Sequence, residues 1–229
     1  MKLMTAPGDE QVVKVEKVAD VSRRRFFQLA GGITGAGLLL AACRKSPPNT
    51  KYLGSGDIAL LNFLYILNQL EAQFYTQAST PGSQYYGMTH LELLCITDLR
   101  DQEIAHSEFL KSILGANAVP IIKVNFSAVT FADRTSVLTN AATIEDLVVS
   151  GLNSAANLFV NQTYALAFTK MVSVEARHSA YVRDSLTPNS FGANVINSNG
   201  LDQVSTPAAV LAAAEAYIET TFDSSKLPN

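Results

Sequence analysis

Tryptophan is absent from this chain of 229 residues, histidine occurs three times and cysteine twice. Cys43 and Cys95 have unlike surroundings, so a disulfide framework is not expected. Only 16% of residues are charged and the formal net charge is −3, which leaves no basic footprint for nucleic acid. No Gly-rich phosphate loop, nucleophile elbow or Ser-His-Asp arrangement occurs, so neither a nucleotide-binding nor a hydrolase reading has support. Apolar residues make up 48%, enough to bury the core of one domain with appendages.

The N-terminus reads as an address. Ser22-Arg23-Arg24-Arg25-Phe26-Phe27 resembles the twin-arginine export signal, and Leu29 to Ala42 is an uncharged run of 14 residues. That run is short for a membrane span and has the size of a signal-peptide core. It ends in Leu40-Ala41-Ala42-Cys43, which resembles a bacterial lipobox and marks Cys43 for lipidation. Residues 1–42 are therefore expected to be a twin-arginine lipoprotein signal peptide. The following stretch, with Pro47 and Pro48, is expected to be a tether over 43–56. The partner implied is a membrane, reached through a lipid anchor on the periplasmic side or surface of a bacterial envelope. No basic excess remains after residue 42 to hold a membrane by charge.

Periodicity from residue 57 onward is helical. Asp57 is placed as an N-cap, followed by apolar residues at Leu60, Phe63, Leu64, Leu67, Leu70 and Phe74, and the helix closes at Ser79-Thr80-Pro81-Gly82. A second helix spans Thr89 to Leu114 and stops at Gly115. Residues 116–132 carry Pro120 and β-branched side chains without a helical period, long enough to cross the length of a bundle. A third helix starts from Asp133 as N-cap and runs to about Val160, and a fourth from Thr163 to about Leu186. Near the end, Thr206 caps a short helix with Pro207 in its first position. Four long helices with one long connection between the second and third match a ferritin-like bundle over 57–188. The remaining residues, 189–229, form a C-terminal extension with one short helix.

Two of the three histidines stand three residues after a glutamate, at Glu103-Ile104-Ala105-His106 and Glu175-Ala176-Arg177-His178. On a helix this spacing puts carboxylate and imidazole on one face. Glu103 and His106 share the stripe of Ile96, Leu99, Leu110 and Ile113, and Glu175 and His178 share that of Phe168, Met171, Val172 and Val182. Both pairs should point inward. A buried carboxylate costs several kcal/mol unless it is paired or binds metal, and a dinuclear site explains all four groups at once. Such a site takes one further carboxylate from each remaining helix. Glu71 lies on the stripe of Leu64, Leu67 and Phe74, and Glu145 on that of Leu138, Ala141, Val148 and Leu152. His90 reads as a solvated helix-start residue, Cys95 as an inert buried thiol, and Arg177 and Arg183 as salt-bridging residues.

These residues carry a resemblance to the ferritin-like proteins of the desiccation- and stress-related type. Leu70-Glu71-Ala72-Gln73-Phe74-Tyr75 resembles that family's first helix and Arg100-Asp101-Gln102-Glu103-Ile104-Ala105-His106 its second. Ile144-Glu145-Asp146-Leu147 resembles the third, and Val174-Glu175-Ala176-Arg177-His178, the most specific piece, the fourth. The resemblance implies two iron or manganese ions held by Glu71, Glu103, His106, Glu145, Glu175 and His178. Two positions depart from the family pattern. Asn68 replaces the earlier of two helix-one glutamates, so either Asn68 serves as a ligand or Glu71 substitutes. Leu152 replaces an aromatic residue, which leaves the surroundings without an evident proton donor.

The expected function is an envelope-anchored metalloprotein that handles iron, oxygen or peroxide under stress, with weak oxidase or peroxidase activity at most. The alternative is a non-catalytic envelope lipoprotein that keeps the bundle for structural or partner-binding roles. A monomer or dimer is expected rather than a 24-subunit cage, because tether and extension would both hinder closure.

Overall fold

In the computed structural model, residues 50–80 and 87–229 are described. The twin-arginine segment, Cys43 and the Pro81-Gly82 stop lie outside the described residues. Five α-helices occur among those described: α1 (Gly56–Ala78), α2 (His90–Leu114), α3 (Arg134–Leu158), α4 (Gln162–Leu186) and the short α5 (Pro207–Ala214).

The caps explain most of these boundaries. Thr89 and Glu92 form a reciprocal capping box at the start of α2, and Gly115, at φ 53°, closes it. Asp133 accepts from Ser136 N at 2.6 Å to cap α3. Asn161 accepts from Thr163 N at 2.9 Å to cap α4, and Thr206 caps α5 with Pro207 just inside. Each such cap is worth about 1 kcal/mol. Asp57 behaves differently from the expectation. It lies inside α1, one residue past its start, and its carboxylate instead accepts from Val160 N and Asn161 N at 2.9 Å each. Those two amides belong to the α3–α4 turn, so Asp57 serves a connection far away in the chain.

Helix α1 packs on α2 and α3 on α4, while α1 and α3 join the two pairs. The long connection lies along α1. Asn62 Oδ1 accepts from Val119 N at 2.9 Å and Gln69 Oε1 from Ile122 N at 3.0 Å. Farther on, Phe126 and Phe131 set their rings 5.6 and 5.5 Å from Phe74. Helix α1 is consequently buried all round from Ala59 to Glu71, more than the single apolar stripe predicts. Asn62 is paired at both polar atoms, its Nδ2 donating to Leu53 O and Asn117 O, whereas Gln69 is paired through Oε1 alone and its buried Nε2 has no partner among the described residues.

The C-terminal extension packs on the connection, where Asn125 N donates to Tyr217 O, and its helix α5 packs on α3 and α1. Strands β1 (Lys51–Tyr52) and β2 (Phe222–Asp223) pair in parallel, Val124 and Ile218 form an antiparallel bridge, and Leu53 is 1% exposed. Residues 51–53, expected to belong to a tether over 43–56, are therefore built into the domain. Arg183 pins the extension by donating to Asp146 on α3 and to the carbonyls of Ser190 and Ala193. Among the described residues no helix is long and apolar enough to cross a membrane.

Candidate metal centre

Each bundle helix contributes one fully buried glutamate: Glu71 from α1, Glu103 from α2, Glu145 from α3 and Glu175 from α4 are all 0% exposed. The stripes that place them are buried as expected, with Leu138, Ala141, Val148 and Leu152 at 1% or less on α3. The structure brings the six candidate residues together in the core. His178 Nδ1 lies 2.9 Å from Glu103 Oε1 and 3.1 Å from Glu175 Oε2. His106 Nδ1 lies 2.8 Å from Glu175 Oε1 and 3.4 Å from Glu103 Oε2. The two imidazole rings are stacked at 6.3 Å. On the other side, ligand atoms of Glu71, Glu145 and Glu175 fall within 4.8 Å of one another, as do those of Glu103, Glu175 and His178. Glu175 belongs to both groups.

Electrostatics divides the carboxylates into two kinds. Burial works to raise the pKa of Glu103, but hydrogen bonds from His106 and His178 override it and hold the group at about 2. The same pairing outweighs burial at the imidazoles and lifts His106 and His178 to about 10. Glu71 and Glu145 have no such partner among the cations. Burial first, then the facing charges of Glu103 and Glu175, push both well above the usual carboxylate range.

Donors are too few for these acceptors. Neither oxygen of Glu71 has a hydrogen-bond partner among the described residues, and Glu145 Oε2 has none. Each imidazole Nδ1 is shared between one oxygen of Glu103 and one of Glu175, so a single N–H faces two acceptors. Buried polar groups in folded proteins are otherwise almost always paired. Hard carboxylate oxygens, two of which can be shared, together with one imidazole nitrogen from each side are the donor set that a pair of dications takes. The residues present fit such a pair.

At Asn68 the side chain is also 0% exposed, but its amide donates to Leu64 O of its own helix at 3.0 Å. On α1 it is Glu71 that meets the other carboxylates. Two residues near the centre escape the sequence reading. The Tyr75 hydroxyl donates to Glu145 Oε1 at 2.5 Å, so a proton donor stands beside the cluster even though Leu152 is not aromatic. Tyr75 follows Glu71 by four residues on the same helix face, a spacing that could have revealed it. Gln102 lies 3.1 Å from His178 Nε2 through its Oε1, a contact between helices that carries no local signal.

The remaining candidates lie elsewhere. His90 is exposed at the start of α2, and Arg177 is exposed on α4. Cys95 is half-buried beside the Tyr181 hydroxyl rather than buried in the core.

No curated protein matches the chain. The family model of the ferritin-like domain matches residues 56–188, from the first residue of α1 to just beyond the end of α4. With that span covering all four helices that supply the buried glutamates and histidines, the chain belongs to the ferritin-like domain family.

Proposed function

We propose that the bundle holds two iron or manganese ions through Glu71, Glu103, His106, Glu145, Glu175 and His178. In this reading the chain is an envelope lipoprotein of the stress-related type that handles iron, oxygen or peroxide. The observation that carries it is the set of three buried carboxylate oxygens, both of Glu71 and Oε2 of Glu145, without a hydrogen-bond partner among the described residues, gathered with Glu103, Glu175 and two histidines in one core cluster. Four carboxylates supply the negative charge that two dications balance, and metal binding would replace the protons that Glu71 and Glu145 otherwise retain.

When bound, a pair of iron or manganese ions supplies one-electron chemistry toward ferrous ion, oxygen or peroxide. The chain's own residues set the surroundings for it. Glu175 is the carboxylate common to both donor groups. Tyr75 orients Glu145 and keeps a proton next to the cluster. His106, with 16% of its side chain exposed, is the most solvent-accessible of the six candidate ligands. Leu152, fully buried, keeps the α3 side dry. A slow oxidase or peroxidase agrees with one phenolic donor and an apolar wall.

Support for anchoring is the order of twin arginines, uncharged core and small-small-Cys at Cys43, a route suited to a protein folded and loaded before export. The non-catalytic alternative draws on Asn68, a neutral amide where the family pattern has a second carboxylate. Metal content separates the two readings. Protein reconstituted with iron or manganese is expected to carry about two equivalents per chain. Less than about 0.2 equivalents with either metal would refute metal binding as the function.

A further inference from the structure

The two halves of the centre differ in what stands behind each imidazole. His106 and His178 hold equivalent places, three residues after Glu103 and Glu175. Behind His178, Nε2 meets Gln102 Oε1 at 3.1 Å. An amide oxygen only accepts, so His178 Nε2 is the donor in this contact. The other nitrogen, Nδ1, is then the one turned toward Glu103 and Glu175, at 2.9 and 3.1 Å. Gln102 immediately precedes Glu103; the residue that precedes Glu175 is Val174, which offers no acceptor. Among the described residues the polar contacts of His106 run through Nδ1 alone. His106 is also the more exposed ring, at 16% against 6% for the His178 side chain.

We propose that Gln102 is a positioning residue that makes the two halves of the centre unequal. By holding His178 with Nδ1 toward Glu103 and Glu175, it prepares that half to take a dication before the other. The inference rests on the metal-binding reading above. An imidazole with no partner at its outer nitrogen is held at one end only, and the orientational freedom it keeps must be given up when a metal binds. A ring already held loses less. Hydrogen bonds of this kind behind a ligating histidine are worth about 10–100-fold in metal affinity. The half so favoured contains the ligand atoms of Glu103, Glu175 and His178, which already lie within 4.8 Å of one another. Gln102 itself is exposed, so replacing it removes the hydrogen bond without opening the core.

The test is titration of the metal-free full chain in detergent with cobalt(II), followed by visible absorption and calorimetry. The wild-type chain is expected to bind in two steps, the first about tenfold or more tighter. Gln102→Ala should weaken the first step by about 10–100-fold. It should leave the second step and the melting temperature of the metal-free form unchanged, and Gln102→Glu, which restores an acceptor, should recover the first step. Two cobalt ions bound by the wild type with an unaltered first step in Gln102→Ala would overturn the inference and leave the metal-binding reading intact. Equal weakening of both steps with a lower melting temperature would also overturn it, since Gln102 would then support the fold. A wild-type chain that takes up no cobalt would overturn the metal-binding reading together with this one.

Discussion

Tyr75 on α1 donates its hydroxyl to Glu145 Oε1 on α3 across 2.5 Å, inside a core where both side chains are 0% exposed. The bond ties the two helix pairs together at the level of the carboxylate cluster. Removing the donor would leave a second oxygen of Glu145 unsatisfied, and a buried acceptor stripped of its partner costs about 1–3 kcal/mol. Tyr75→Phe is therefore expected to lower the stability of the metal-free protein by about that amount, measured by urea unfolding. The metal-loaded form should lose less, because there Glu145 has a second partner.

The pH dependence of the metal-free form follows from the same cluster. Glu71 and Glu145 have raised pKa values in the folded state, and His106 and His178 rise to about 10. Each of these groups binds its proton more tightly when folded. Their contribution is full below the unfolded values, about 4.5 for Glu and 6.5 for His, and is lost as pH rises through the folded ones. Glu103, held at about 2, acts in the opposite sense: its contribution is present above about 4.5 and lost as pH falls toward 2. The cluster is thus expected to stabilise the metal-free protein most near pH 4.5 and less toward neutrality. Manganese should reverse the neutral slope, because it competes with these protons more successfully as pH rises. Melting temperatures from pH 4 to 9, with and without manganese, check both signs.

How much of this was readable beforehand depends on where each signal resides. The paired Glu-x-x-His spacings, Glu71 and Glu145 announce themselves through helical periodicity, because three- and four-residue spacing maps directly onto one helix face. The same logic exposes the four bundle helices and the length of the connection. Asp57 is misread because its role is tertiary: nothing near it in the chain shows that Val160 and Asn161 will present free amides to it. Asn62 and Gln69 look like ordinary polar positions, and only the path of residues 118–122 along α1 turns them into buried clamps. Cys95 sits in an apolar run, yet the run lies where α2 turns a half-exposed side outward.

Gly151 offers a packing prediction independent of metal. A Cβ at this position would come within 2.9 Å of Leu67 Cδ1 and 3.0 Å of Phe63 Cζ, both in the buried stretch of α1. The missing side chain is what lets α3 approach α1. Gly151→Ala is expected to destabilise the protein by about 1–3 kcal/mol through overpacking. That outweighs the roughly 1 kcal/mol that alanine contributes as a better helix former. Thermal unfolding of the metal-free variant reads the sign directly.

Anchoring has its own test. Cys43→Ser is expected to remove lipidation and leave the protein released from membranes or unprocessed, whereas Cys95→Ser, half-buried on α2, should do neither. Membrane fractionation with unchanged yield for both variants would show that Cys43 is not the anchor.

The most direct measurement of the central claim uses Glu175, the carboxylate shared by both groups of candidate ligands. Unfolding of wild type and of Glu175→Ala would be compared with and without manganese, alongside the metal content of each. About two equivalents are expected in the wild type, with a stability gain that grows with manganese concentration as linkage requires. In Glu175→Ala both the metal and the manganese-dependent gain should vanish, while the metal-free form loses only the pairing that Glu175 gives His106 and His178. Equal loss of stability with and without manganese, with no metal in either protein, would show that Glu175 belongs to a purely structural ion-pair network.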